Sequence, residues 1–239
     1  MLNNINELKV KIFADGADLP TMIDMSRKPF IKGLTTNPTL MRKAGIKDYR
    51  KFAKEVLVEI QDKPISFEVF SDDLKEMIEQ ATEIASWGRN VNVKIPITNS
   101  KGVETTQVVR ELSSQGVALN ITAILTVEQV RNVVESLDDN SVAFISVFAG
   151  RIADTGRDPI PLMQNAIQIM KEKPKSELIW ASPRELLNVI QADAIGCHVI
   201  TATSDILKKL DIIGKDLSQY SLETVKMFRD DAVASGYSI

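Results

Sequence analysis

Val91-Asn92-Val93-Lys94-Ile95-Pro96-Ile97 decides how this chain is read. Successive side chains of an extended segment point to opposite faces. Val91, Val93, Ile95 and Ile97 therefore share one side, and Asn92 and Lys94 share the other. A lysine on a buried strand has its charged form disfavoured by desolvation, and a neutral amine attacks carbonyls to form a Schiff base. The ordinary alternative is a strand-end lysine whose ammonium reaches back to water. Alone, the segment favours that alternative; the rest of the chain reverses it.

Further short apolar runs of strand type lie at 11–14, 33–36, 65–70, 118–125, 142–148, 177–181 and 197–202. Helical periodicity fills 48–60, 72–87, 103–115, 126–137, 160–171, 183–191 and 204–210. Thr126-Val-Glu-Gln129 and Ser182-Pro183-Arg184-Glu185 read as helix starts, the second with proline at the first helical position. Gly116, Gly196 and Lys173-Pro174 read as stops. Eight strands, each followed by helix, predict an α/β fold: a single (β/α)8 TIM barrel over 1–239. An additional C-terminal helix is expected at about 216–235. Its Leu217, Leu222, Val225, Met227 and Phe228 are expected to pack on the barrel or on a neighbouring subunit. Neither GxGxxG nor GxxxxGK[ST] follows the first strand, so an open nucleotide-binding sheet loses support.

The chain has 239 residues, 44% of them hydrophobic, and a formal net charge of −3. That size suffices for one sizeable core. The charge carries no basic signature for nucleic acid. No run approaches the roughly 18 apolar residues of a membrane span, and the first twenty residues lack the apolar stretch of a secretory signal. The lone Cys197 allows no intramolecular disulfide, and a reducing cytoplasm is the simplest setting. The lone His198 leaves too few ligands for a zinc site of the usual kind. It reads as a satisfied core or strand-end histidine. No metal and no cofactor are expected.

Catalytic residues of such barrels sit at the C-terminal ends of the strands. Parity assigns the inward positions. The third strand gives Ser66, Glu68 and Phe70; the fourth Asn92 and Lys94; the fifth Asn120 and Thr122. The sixth gives Phe144, Ser146 and Phe148, and the seventh Leu178, Trp180 and Ser182. The first two strands end on Asp15 and Asn37. The expected mouth set is Asp15, Asn37, Glu68, Lys94, Asn120, Thr122, Ser146 and Ser182. Each has an ordinary explanation alone, such as a cap, strand propensity or a Glu68–Lys94 pair. So many polar groups converging around one amine point to a site, because buried charge without purpose is costly. Phe148-Ala-Gly-Arg151, following the sixth strand, and Ser182-Pro-Arg184, read as opening the helix after the seventh, suggest a phosphate site.

These motifs resemble the transaldolase family, in length its short subfamily that includes fructose-6-phosphate aldolases. The matching segments are Phe13-Ala-Asp15-Gly-Ala-Asp18, Leu34-Thr-Thr-Asn37-Pro38, Phe67-Glu68-Val69, Val93-Lys94-Ile95-Pro96, Asn120-Ile-Thr122, Phe148-Ala-Gly-Arg151-Ile-Ala-Asp154 and Ala181-Ser182-Pro-Arg184. They run in order along nearly the whole chain. The resemblance implies a metal-free class I mechanism in carbohydrate metabolism, of the pentose phosphate kind. Lys94 would form the Schiff base with a ketose phosphate such as fructose 6-phosphate or sedoheptulose 7-phosphate. Asp15 would take the C4 hydroxyl proton, and Glu68 and Thr122 would hold a proton-shuttling water. Asn37, Asn120 and Ser146 would orient donor hydroxyls, and Arg151, Ser182 and Arg184 would grip phosphate. Transaldolases typically carry Glu and Phe where the aldolases carry Gln and Tyr, so Glu68 and Phe148 point to transfer. Sugar phosphates and further copies of the chain are the implied partners. Pro183, where the family usually has an aromatic residue, and Gly156-Arg157-Asp158-Pro159 depart from the pattern. They leave the acceptor open. An aldolase releasing dihydroxyacetone and a catalytically silent sugar-phosphate-binding barrel are the competing readings.

Overall fold

The computed structural model describes residues 4–237. The first three and last two residues of the expected 1–239 domain lie outside it. Among the described residues, eight parallel strands close into a barrel in sequence order. They are β1 (Lys11–Asp15), β2 (Ile31–Thr35), β3 (Ile65–Glu68), β4 (Val91–Pro96), β5 (Leu119–Ile124), β6 (Ala143–Val147), β7 (Ser176–Trp180) and β8 (Val199–Ala202). The helices are α1 (Leu19–Arg27), α2 (Pro38–Lys43), α3 (Tyr49–Glu59), α4 (Leu74–Ala85), α5 (Thr106–Ser114), α6 (Val127–Ser136), α7 (Ala149–Asp154), α8 (Ile160–Ile169), α9 (Leu187–Ala194), α10 (Ser204–Leu207) and α11 (Leu217–Ala234). The expected (β/α)8 barrel is the observed fold.

The alternation at 91–97 holds. Val91, Val93 and Ile95 are buried among the helix-facing residues, in the same cluster as Val56, Ile84 and Val109. Helices α1 to α10 each contribute buried residues to that layer, such as Val130, Val133 and Val134 of α6. The expected helix start at Thr126 is a capping box, in which Thr126 Oγ1 accepts from Gln129 N–H and Gln129 Oε1 accepts from Thr126 N–H. Such a cap contributes about 1 kcal/mol.

The barrel interior beneath the mouth is a separate plug of Phe13, Phe144, Ile179, Ala181 and Val199. Phe13 and Phe144 meet edge to face at 5.4 Å. Gly33 makes room for this plug, since a Cβ there would lie 2.5 Å from the Phe13 ring.

Four expectations are corrected. On β7, Ile179 and Ala181 face the interior, while Leu178 and Trp180 pack outward on the helices. The expected parity was one residue out, because a strand buried on both faces shows no alternation to count. The helix after β7 starts at Leu187 rather than 183, so Pro183 does not open it. The Arg184 and Glu185 N–H groups instead donate to Asn188 Oδ1. Helices α1, α2 and α7 are absent from the sequence reading; α1, in the first crossover, is short and buries only Met22 and Met25. Finally, α11 buries none of its residues, so of the two expected packing partners its own barrel is not the one that covers its apolar residues.

Candidate active site

All the expected site residues line one cavity of about 450 Å³ at the C-terminal end of the barrel. Asp15, Asn37, Glu68, Lys94, Asn120, Thr122, Ser146, Phe148, Arg151, Ser182 and Arg184 come together there from the first seven strands. The volume is in the range of pockets that enclose a small ligand.

Lys94 stands at the floor, only 6% exposed. Its Nζ donates to the Thr36 carbonyl at 3.0 Å and lies 3.5 Å from Glu68 Oε2. Register places Glu68, Lys94 and Asn120 side by side on neighbouring strands. Burial raises the Glu68 carboxyl above its ordinary range, against the pull of Lys94. Burial likewise raises Asp15, opposed by Lys94 and by hydrogen bonds from Thr35 and Asn37. Two carboxyls raised by burial beside one amine are suited to take and return protons.

Asp15 is fixed from two sides. Thr35 Oγ1 donates to Asp15 Oδ1 at 2.8 Å and sits 2.6 Å from Thr201 Oγ1. Asn37 Nδ2 approaches Oδ2 at 3.4 Å, while its Oδ1 caps α2 through Leu40 N–H. A second chain of bonds runs from Ser146 Oγ to Asn120 Oδ1, 2.7 Å, and from Asn120 Nδ2 to Ser66 Oγ, 2.9 Å. Thr122 Oγ1 is buried without a protein hydrogen-bond partner. It sits at an interruption of the β5–β6 ladder, where Ala123 takes φ +62°.

The cationic end is formed by α7 and the β7–α9 loop. The Arg151 guanidinium lies 5.4 Å from the Phe148 ring centroid. Arg184 donates through Nε to Asp154 Oδ1 at 2.9 Å and through Nη1 to Ser182 Oγ at 3.2 Å. Its Nη2 meets Asp154 Oδ2 at 2.5 Å, and this pairing holds the Asp154 carboxyl below its usual range. Ser182 reaches the cavity despite the parity slip because its own φ is +60°. A left-handed non-glycine residue costs about 1–2 kcal/mol, and the two found among the described residues, Ala123 and Ser182, lie at this cavity.

Thr35, Ser66, Thr201 and Asp154 were not among the expected site residues. Thr35 and Thr201 could have been found by parity, two residues before Asn37 and two after Val199. Asp154 closes one of the matching motifs, but its role depends on where Arg184 lies. His198 is structural: its Nδ1 accepts from Leu178 N–H at 3.0 Å, and burial lowers its pKa. Among the described residues, no three His, Cys, Asp or Glu side chains are grouped to hold a metal ion, and no helix is long and apolar enough to cross a membrane.

The sequence from residue 12 to 239 matches the family model described as transaldolase/fructose-6-phosphate aldolase. The chain belongs to this family. A probable transaldolase of Dehalococcoides mccartyi is 34% identical over 202 residues, covering 84% of this chain and 90% of that protein. A probable transaldolase of Thermoanaerobacter sp. is 31% identical over 231 residues, covering 96% and 100%. Among solved structures, a dihydrodipicolinate synthase from Rhodopseudomonas palustris superposes with a TM-score of 0.61 at 12% identity, over 93% of this chain and 79% of that one. That likeness concerns the fold alone. Within the transaldolase/fructose-6-phosphate aldolase family, Lys94 is the buried amine at the centre of this chain's polar cavity.

Proposed function

We propose that this protein transfers a dihydroxyacetone unit from a ketose phosphate to an aldose phosphate through a Schiff base on Lys94. The observation that carries the reading is a buried lysine amine, 3.5 Å from a carboxyl that burial has raised, in a cavity whose far end is cationic. Lys94 Nζ adds to the C2 carbonyl of the donor. Loss of the C2 oxygen as water leaves an iminium, with Glu68 and a water held against the Thr122 hydroxyl moving the protons. Asp15 accepts the C4 hydroxyl proton as the C3–C4 bond breaks and the aldose phosphate departs. Its electron pair stays on Lys94 as an enamine. The enamine adds to the aldehyde carbon of the acceptor, which regains a proton from Asp15, and hydrolysis frees the new ketose and the lysine.

Asn37, Asn120 and Ser146 are suited to the donor hydroxyls, and Arg151, Ser182 and Arg184 to the phosphate. Glu68 and Phe148, the residues typical of transfer, favour transferase over aldolase. The test is reduction with borohydride in the presence of fructose 6-phosphate, followed by intact mass. A three-carbon gain lost in Lys94→Ala supports the Schiff base, and no gain refutes it. Repeating turnover with and without an aldose phosphate acceptor separates transfer from release of dihydroxyacetone.

A cytoplasmic homo-oligomer is part of the same reading. The exposure of Leu217 (79%), Val225 (60%) and Phe228 (63%) on α11 supports association through that helix. Light scattering of the whole chain against a chain ending at Lys215 tests it; equal masses refute it.

A further inference from the structure

The barrel is split between β2 and β3 at the level of the lysine. The ladder there runs from Leu34 N–H to Pro64 C=O, 2.9 Å, and from Thr36 N–H to Ser66 C=O, 3.3 Å. In that register the next rungs would join Glu68 N–H to Thr36 C=O, and Glu68 C=O to the N–H of residue 38. Residue 38 is proline, which has no N–H, and it opens α2. The ladder therefore stops, and the Thr36 carbonyl accepts from Lys94 Nζ instead. That leaves the Glu68 backbone without partners on this side, which a buried strand tolerates poorly.

One hydroxyl supplies both. Glu68 N–H donates to Tyr49 Oη at 2.7 Å, and Tyr49 Oη donates to Glu68 C=O at 3.0 Å. Tyr49 is the first residue of α3, and its ring is held by Phe67, Phe70 and Trp87, with centroids at 6.1, 4.6 and 5.5 Å. We propose that Tyr49 is a positioning residue: its hydroxyl closes the β2–β3 split, fixes the backbone of Glu68, and leaves the Thr36 carbonyl to hold Lys94. The catalytic part of this inference rests on the Schiff-base reading above; the structural part does not. The arrangement also explains why the expected strand 65–70 ends at Glu68, with Phe70 left 52% exposed.

Tyr49→Phe keeps the ring and deletes the hydroxyl. With wild type first shown to trap the three-carbon adduct, the variant is expected to lose about 10- to 100-fold in kcat, because small misplacements of catalytic groups cost that much. KM for the ketose phosphate is expected to stay within about threefold. Adduct trapping slows in parallel, and the acidic limb of the kcat–pH profile moves. In a Glu68→Gln background the same change is expected to cost clearly less than in wild type, since part of its effect passes through Glu68. A variant that melts lower but keeps wild-type kcat and pH profile, or a double variant with fully additive losses, overturns the proposal. Should Tyr49→Phe not fold, 3-fluorotyrosine at position 49 keeps both hydrogen bonds while making the phenol a stronger donor and weaker acceptor; an unmoved pH limb overturns the proposal. Amide exchange at Glu68 reads the structural half whatever the protein catalyses. It is expected to speed up at least about tenfold in Tyr49→Phe relative to Phe67, and equal rates refute the closure.

Discussion

Gly150→Ala is the sharpest test of how the cationic end of the cavity is built. Gly150 lies in α7 against the β7–α9 loop, and its N–H reaches the Ala181 carbonyl at 3.4 Å. An added Cβ would lie 1.6 Å from the Ser182 carbonyl oxygen and 2.7 Å from its carbonyl carbon. Real contacts of this kind do not fall below 3.0 Å, so the two backbones must part by about 1.4 Å, and neither is a flexible side-chain end. Overpacking of this sort costs about 1–3 kcal/mol, and in a chain of this size that lowers Tm by about 5 °C. The displacement also separates the parts that hold Arg184, because Asp154 sits on α7 and Ser182 on the loop. Losing one charge-assisted hydrogen bond to phosphate costs about 1.5–3 kcal/mol, or about 10- to 100-fold in kcat/KM. The assay compares kcat/KM for fructose 6-phosphate with that for unphosphorylated fructose, alongside a thermal melt. The expected result is a lower Tm and a loss confined to the phosphorylated substrate. A variant with wild-type Tm and wild-type kcat/KM refutes the packing argument, and an equal loss on both substrates refutes its assignment to phosphate.

Three further outcomes follow from the same geometry. Lys94→Met is expected to abolish adduct and turnover while leaving circular dichroism unchanged; residual turnover above background counts against the Schiff base. Asp15→Asn is expected to slow turnover about 10²- to 10⁴-fold, yet to melt about 3 °C higher than wild type at pH 8. The sign comes from burial, which raises the Asp15 carboxyl. Its contribution to stability is full below the ordinary carboxylate value of about 4 and is lost as pH rises through the raised one. The gap between variant and wild type therefore closes toward pH 4, and a gap that widens on acidification refutes the sign. Thr122→Val removes a buried hydroxyl with no protein partner. It is expected to leave Tm little changed, since no protein hydrogen bond is lost, while turnover falls. A large drop in Tm instead shows that the hydroxyl is structural.

The sequence by itself determined the fold and the identity of the mouth residues. Strand period and helix period differ, and eight alternations without a nucleotide-binding glycine motif pointed to a (β/α)8 barrel over an open sheet. In such a barrel the strand ends face one cavity, so Asp15, Asn37, Glu68, Lys94, Asn120, Thr122 and Ser146 followed from parity, and the structure sets them around that cavity. Parity failed on β7, where both faces are apolar and Leu178-Ile179-Trp180-Ala181 offers no polar residue to mark a side. Ser182 reaches the mouth only through a left-handed backbone, which no pattern of residue types encodes.

Tertiary structure alone decided everything that joins residues distant in sequence. Thr35 and Thr201 meet across the β1–β2 and β1–β8 neighbours to hold Asp15. Asp154 earns its role from an arginine on another loop. Tyr49, in the sequence an ordinary aromatic at the start of a helix, completes a ladder that Pro38 interrupts. Periodicity reports which way a side chain faces, because facing is a local property of backbone geometry. Hydrogen bonds between elements depend on register and crossover packing, and those are set by the whole barrel closing at once.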